Sequence, residues 1–215
     1  MFLSSWRWTL AKLGLSLGLS LSILFAGAGP AGAAELAAPG WEELVEVGRC
    51  ADAESLCSGW LASVDVRQKT EAHECLAQAA LCGRGMKLIG ASRAGRRPIA
   101  VDFLPGAVDK ALGHLNEALK LSPQELAIHQ KRLQLLEISS RFAEMAQALD
   151  ESCRTDPAPK ALDTWLSYVT ELVEARQPQA ALSLLTVLNR HFPKDPRVLR
   201  STETVLNLLQ TSPKR

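Results

Sequence analysis

Along this chain a small residue, a large apolar one and a second small one recur at fixed spacing, followed by a proline. The clearest copy is Ala111, Leu115, Ala118 and Pro123. Met145, Leu149, Ser152 and Pro157 form a looser copy, with Met and Ser in the two small places. Ala181, Leu185, Leu188 and Pro193 form a third. Steps of four and then three residues keep the first three members on one face of a helix. The copies follow one another at about 34 residues, the length of one helix–turn–helix unit in a stacked repeat. Two helices approach closely only where side chains are small, so Ala belongs at the crossing and Leu fills the space beside it.

The prolines predict where helices begin. Ser122-Pro123-Gln124-Glu125 reads as a capping box with proline at the first helical position. Asp156-Pro157 and Asp195-Pro196 repeat the cap and the proline. From Pro196 to Gln210, Val198, Leu199, Val205, Leu206, Leu208 and Leu209 predict a last helix. It should cover the apolar face that a stack leaves open at its end. Residues 211–215 should fray.

Upstream, Trp41 to Leu61 predicts one helix, with Trp41, Leu44, Val45, Leu56 and Trp60 among its apolar positions. Residues 63–69 form the turn. Thr70 is placed to cap the next helix, where Ala72, Leu76 and Ala79 repeat the skeleton once more. Glycines and prolines interrupt any helix between Gly83 and Pro105. Arg84, Lys87, Arg93, Arg96 and Arg97 fall in that stretch, with no acid before Val101. It reads as a solvated linker, or as a surface for an acidic partner or for weak contact with anionic lipid headgroups.

The first residues follow a different pattern. Arg7 and Lys12 precede an uncharged apolar run from Leu13 to Ala28, and Ala31-Gly32-Ala33-Ala34 supplies small residues for cleavage. This is the three-part plan of a secretory signal. The run of about 16 residues is short against the roughly 20 that span a bilayer. Cleavage after Ala33 or Ala34 is expected, with an uncleaved inner-membrane anchor as the alternative. The chain then divides into a signal (1–34), a cysteine-bearing hairpin with its basic connector (35–105) and a repeat array (106–215). An exported protein, periplasmic or secreted, is expected.

Composition fits helices: Ala, Leu, Glu, Gln, Lys and Arg are abundant and aromatics make up only 5%. With 24 basic and 23 acidic residues the chain lacks the basic footprint that nucleic-acid binding needs.

Four of the five cysteines, Cys50, Cys57, Cys75 and Cys82, lie in the predicted hairpin. On each helix the pair is seven residues apart, which is about 10 Å along the axis. That exceeds the roughly 7 Å Cα separation a disulfide tolerates, so bridges must cross between the helices. Facing positions of an antiparallel hairpin have equal index sums, and Cys50 with Cys82 has the same sum as Cys57 with Cys75. Those two pairings are expected, and export makes oxidation reasonable. A four-cysteine metal site is the competing reading, with His73 beside Cys75. The six residues between paired cysteines exceed the usual two to four of zinc sites, so no metal and no cofactor is expected. Cys153 is left over, as a small buried hydrophobe or, as the alternative, an intermolecular bridge. His114, His129 and His191 stand apart from one another in sequence and read as structural or surface residues. No Ser-His-Asp order, phosphate-binding glycine loop or His-Glu-x-x-His can be assembled.

The array resembles the tetratricopeptide repeat family. Helix A of that family carries Trp-x2-Leu-Gly-x2-Tyr, and helix B carries Ala-x3-Phe-x2-Ala-x4-Pro. Ala111-x3-Leu115-x2-Ala118-x4-Pro123 matches helix B with Leu for Phe. Trp165, Tyr168, Val169 and Leu172 occupy the four helix A positions of the third unit. In the second unit His129 takes the Trp place and Leu133 the Gly. The resemblance covers residues 106–215 and implies an all-α fold. Antiparallel hairpins would stack as a short right-handed α-solenoid, with the N-terminal hairpin clamped by disulfides. It also implies a concave groove lined by helix A. The family's groove positions fall on Gln130, Gln134 and Glu137, on Asp163 and Thr170, and on Arg197 and Arg200. A non-catalytic scaffold of the cell envelope that binds a protein or peptide segment there is the leading expectation. A cysteine-rich exported repeat protein with thiol-redox, hydrolytic or ligand-binding activity is the alternative. A redox role needs an exposed thiolate of lowered pKa.

Overall fold

The structure, a computed structural model, describes residues 40–82, 105–155 and 159–211. The signal, most of the basic connector, the Asp156-Pro157 cap and residues 212–215 lie outside them. Among the described residues there are nine helices and no strand. They are α1 (Trp41–Glu46), α2 (Cys50–Trp60), α3 (Val66–Leu81), α4 (Ala107–Leu121), α5 (Leu126–Ile138), α6 (Phe142–Thr155), α7 (Pro159–Glu174), α8 (Pro178–His191) and α9 (Pro196–Thr211). The all-α class expected from the pattern is therefore observed. Pro39–Arg215 form one compact unit. Helices adjacent in sequence pack on each other from α1 to α6 and from α7 to α9, and α6 also packs on α8. The most extensive pairing joins α3 to α4 across the basic connector.

The repeated skeleton is the core. Ala111, Leu115, Ala118, Met145, Leu149, Ser152, Ala181, Leu185 and Leu188 are all buried. So are Ala72, Leu76 and Ala79 of α3. Trp165, Tyr168, Val169 and Leu172 are buried along α7. One continuous cluster runs from Ala77 and Leu81 in α3 to Val198 and Val205 in α9. The N-terminal helices have only two small clusters of their own, one around Leu44, Ala53 and Ala79, the other around Cys57, Cys75 and Leu76. The two cysteine pairs fall at disulfide distance as the index sums require: Cys50 with Cys82 at a Cα separation of 5.5 Å, and Cys57 with Cys75 at 6.1 Å. Such bridges fit an oxidising compartment. No described helix is long and apolar enough to cross a membrane.

Several helix ends differ from the sequence expectation. The single helix from Trp41 to Leu61 is two, because Gly48 takes φ +77° and closes α1. The Arg49 N–H donates to the Leu44 carbonyl (2.7 Å) and the Gly48 N–H to the Val45 carbonyl (3.1 Å). This is the crossed pair of bonds that ends a helix on a left-handed residue. α3 starts inside the expected turn, at Val66, with Asp65 accepting from the Arg67 N–H. Thr70 is therefore not a cap. It lies inside α3, where its hydroxyl donates to the Val66 carbonyl and meets the Ser122 hydroxyl at 3.0 Å. Ser122 closes α4 instead of opening α5, whose N-cap Glu125 makes no side-chain cap bond, so the capping box does not form. Asp195-Pro196 does behave as expected, with Asp195 accepting from the Arg197 N–H at 2.9 Å.

The turn at Gly48 is used twice more without glycine. Ser140 closes α5 at φ +57° and Arg176 closes α7 at φ +59°. The Arg141 N–H reaches the Leu136 carbonyl (2.8 Å), and the Gln177 N–H reaches the Leu172 carbonyl (2.8 Å). A side chain in this left-handed region costs about 1–2 kcal/mol. Gly loses more chain entropy on folding, which takes back part of that. Ser140→Gly and Arg176→Gly are each expected to raise stability by roughly 0.5–1 kcal/mol, read as a higher midpoint in urea unfolding.

Candidate functional site

The residues expected to line a helix A groove lie on α5, α7 and α9, and they differ in access. Gln134 and Glu137 are buried at 4% and 5% exposure. The carbonyl of Gln130 accepts from the Tyr168 hydroxyl at 2.9 Å, which ties α5 to α7. Tyr168 is raised above its ordinary pKa, first by burial and then by the charges of Glu137 and Glu171. Asp163 is exposed and paired at 2.6 Å with Arg197, which also holds Asp195. Thr170 is exposed and its hydroxyl donates to the Leu166 carbonyl of its own helix. Arg200 is exposed on α9. This face thus combines buried polar side chains on α5 and α7 with an ion pair already formed at its end.

An open cleft lies elsewhere, between α4 and α6 over α5. Its larger part has a volume of about 490 Å³, with Gly113, Asn116, Glu117, Arg132, Glu151 and Thr155 among its walls. A second part of about 230 Å³ shares Gly113, Asn116 and Arg132 and extends towards Arg141 and Glu144. The cleft exists because α4 and α6 do not pack on each other as α6 and α8 do. Its charges alternate in sign and are tied to one another: Lys120 to Glu117, Arg132 to Glu151, Arg141 to Asp109 and Glu144. The guanidinium of Arg141 is held firmly protonated by Glu144 first and Asp109 next. His129 is buried beneath the cleft, with Nε2 at 2.9 Å from the Pro123 carbonyl. Gly113 sits on the open side of α4, and a methyl group added there would meet nothing within 4 Å. In a helix interior glycine costs about 1 kcal/mol relative to alanine, and no packing contact here calls for it. Nothing in the sequence pattern marks this cleft, because it depends on how closely α4 and α6 approach across α5, which no local pattern sets.

On the far side of α6, Asp150 links that helix to α8. It accepts from His191 at 2.9 Å and Arg190 at 3.2 Å, and from Arg154 of its own helix. His191 first, then Arg154, hold its carboxyl below the usual range. Next to it, Cys153 is a free thiol at 1% exposure, and burial first, with Asp150 second, pushes its pKa up to about 12. At neutral pH almost none of it is thiolate. Alkylation of the native chain at Cys153 is therefore expected to follow unfolding, with labelling slower than a free thiol by orders of magnitude and restored in denaturant. Fast labelling of the folded protein would reopen the thiol-active reading.

Two histidines far apart in sequence are brought together. His73 of α3 and His114 of α4 place their Nδ1 atoms 3.3 Å apart, with ring centroids at 5.6 Å. Both rings are lowered below the ordinary histidine pKa by burial first. Glu117 acts on both in the opposite sense. Among the described residues no group of three or more His, Cys, Asp or Glu side chains could hold a metal ion. No family model, no curated protein and no solved structure matches the chain.

Proposed function

We propose that this chain is a non-catalytic scaffold of the cell envelope that binds an extended segment of a partner protein. In this reading it is exported to the periplasm or secreted, and its hairpins, which resemble tetratricopeptide repeats, stack as a short right-handed α-solenoid. The observation that carries the binding role is the open cleft between α4 and α6, walled by charges of alternating sign and by Gly113 of α4. A groove of this size takes side chains and backbone of a peptide. The glycine in this helix interior, where alanine fits, leaves room for a bound backbone to come close. The helix A face is less open than the family resemblance implies, since Gln134 and Glu137 are buried. The segment is therefore assigned to the cleft, with the Asp163, Thr170, Arg197 and Arg200 face as the competing surface. The buried thiol of Cys153 speaks against the redox alternative.

Photo-crosslinking from single positions in intact cell envelopes tests this. A probe at Asn116 should capture one defined envelope protein, and a probe at Thr170 or Arg200 should not. Gly113→Ala should raise stability by about 0.5–1 kcal/mol but weaken the capture, whereas Gly113→Phe should fill the cleft and abolish it. Capture from Thr170 and Arg200 but not Asn116 would move the site to the helix A face. The same background set at all positions would defeat the scaffold reading.

A further inference from the structure

We propose that His73 and His114 form a pH-governed latch between the disulfide-clamped N-terminal helices and the repeat array, closed while one Nδ1 stays bare and released when both carry protons. Two facing nitrogens admit only certain proton counts. His73 of α3 and His114 of α4 meet through Nδ1 at 3.3 Å, with their ring planes tilted by 38°. A hydrogen bond between two imidazoles needs one Nδ1–H as donor and one bare Nδ1 as acceptor. In the neutral pair one ring is therefore the Nδ1–H tautomer and the other the Nε2–H tautomer. A first proton from solvent goes to the bare Nε2 of the donor ring. The bond survives that step and becomes charge-assisted. A second proton has only the acceptor Nδ1 left to occupy. Two N–H groups on charged rings then face each other, and repulsion replaces the bond.

The contact sits on a seam. His73 shares one face of α3 with Thr70, Glu74, Ala77 and Leu81. Ala77 and Leu81 belong to the main core, so the second half of α3 is anchored. The first half reaches α4 and its C-cap with polar groups, His73 to His114 and Thr70 to Ser122. Glu74 pairs with Lys131 of α5, and Glu54 of α2 with Lys110 of α4. Histidine is the side chain whose charge ordinarily changes between about pH 5 and 8. Both rings are held below the ordinary value of 6.5. For His73 burial acts first, against the charge of Glu117. For His114 burial acts first, then His73 and Lys110, against Glu54 and Glu117. The unfolded chain therefore takes up these protons at higher pH than the folded one. The contribution of the latch to stability is complete above pH 6.5 and is lost as pH falls from there through the lower folded values. Acid thus loosens the first half of α3 from α4 while the core of the array holds.

The test combines histidine ring NMR with amide exchange, both on the chain with its disulfides intact, from about pH 8 down to about pH 5. The chain has four histidines, so ring signals can be assigned one by one. At the upper end the ring nitrogen shifts should show one Nδ1 proton shared by His73 and His114. On acidification the two should titrate below 6.5 as a coupled pair, in two steps. Protection factors of amides in the first half of α3 should fall with the second step, while those of α8 hold. Glutamine offers both a donor and an acceptor, so in His73→Gln or His114→Gln the remaining ring keeps a partner in either charge state. In each variant the acid loss of protection in α3 should disappear, and the remaining histidine should titrate in one step. His191→Gln should leave the loss as it is in the wild type. Two bare Nδ1 atoms above pH 6.5 overturn the proposal. So do independent single-step titrations of the two rings, or an equal loss of protection in His73→Gln. The NMR result on the wild-type chain decides the matter even where a variant fails to fold.

Discussion

Replacing Cys57 and Cys75 together by alanine is expected to lower stability by about 3 kcal/mol, and replacing Cys50 and Cys82 by somewhat more. In the chain-entropy model a bridge restrains the unfolded chain in proportion to the logarithm of the loop it closes. The separations are 18 and 32 residues, which gives roughly 3 and 4 kcal/mol. Both Cα distances lie in the ordinary range, so the folded helices need no shift to hold the bridges. The loss should also be local. α1 and α2 bury only Leu44, Ala53 and Cys57, and their two small clusters are separate from the main core. So little apolar surface cannot hold two short helices in place without the bridges. Hydrogen exchange of the reduced or doubly substituted chain should therefore show α1 and α2 unprotected while α4 to α9 keep their protection. Uniform loss across all helices would mean that the N-terminal helices support the array far more than their buried residues indicate.

What the sequence made legible, and what it did not, follows from the range of each signal. The skeleton positions were readable because helical spacing and residue size act within a few turns. The cysteine pairing was readable because an antiparallel hairpin obeys one arithmetic rule wherever its turn lies, so the wrong turn residues did no harm. The break at Gly48 was not, because a lone glycine inside an apolar helical pattern is often tolerated. The ends at Ser140 and Arg176 carry no glycine at all, and it is crossed backbone hydrogen bonds that close them in the left-handed region. α5 has no polar face to read, because His129, Gln134 and Glu137 are buried along with its leucines. The His73–His114 contact depends on α3 pairing with α4 across the basic connector, and no local pattern announces that pairing.

Trp165→Ala is expected to cost about 3–5 kcal/mol, the largest effect of a single substitution in the array. Trp165 is 1% exposed and among the largest fully buried side chains, in the middle of the continuous cluster. Truncation leaves a cavity that packed helices on several sides cannot close. Against a total stability of roughly 5–15 kcal/mol, that loss brings the chain near unfolding at ambient temperature. A milder pair of substitutions separates packing from hydrogen bonding on the same helix face. The Trp165 indole N–H is buried without an acceptor among the described residues. Trp165→Phe therefore gives up volume but no hydrogen bond, and it also removes an unsatisfied donor that costs about 1–3 kcal/mol to bury. Tyr168 is the reverse. Its hydroxyl donates to the Gln130 carbonyl at 2.9 Å, so Tyr168→Phe keeps the volume and loses that one hydrogen bond, costing roughly 0.5–1.5 kcal/mol. Urea unfolding of the three variants should rank Trp165→Ala far below wild type. Trp165→Phe should lose less than an aromatic size change in a core otherwise costs, and Tyr168→Phe should lose by a different route. A loss in Trp165→Phe as large as in Trp165→Ala would mean that the indole nitrogen, and not the ring volume, holds α7 in place.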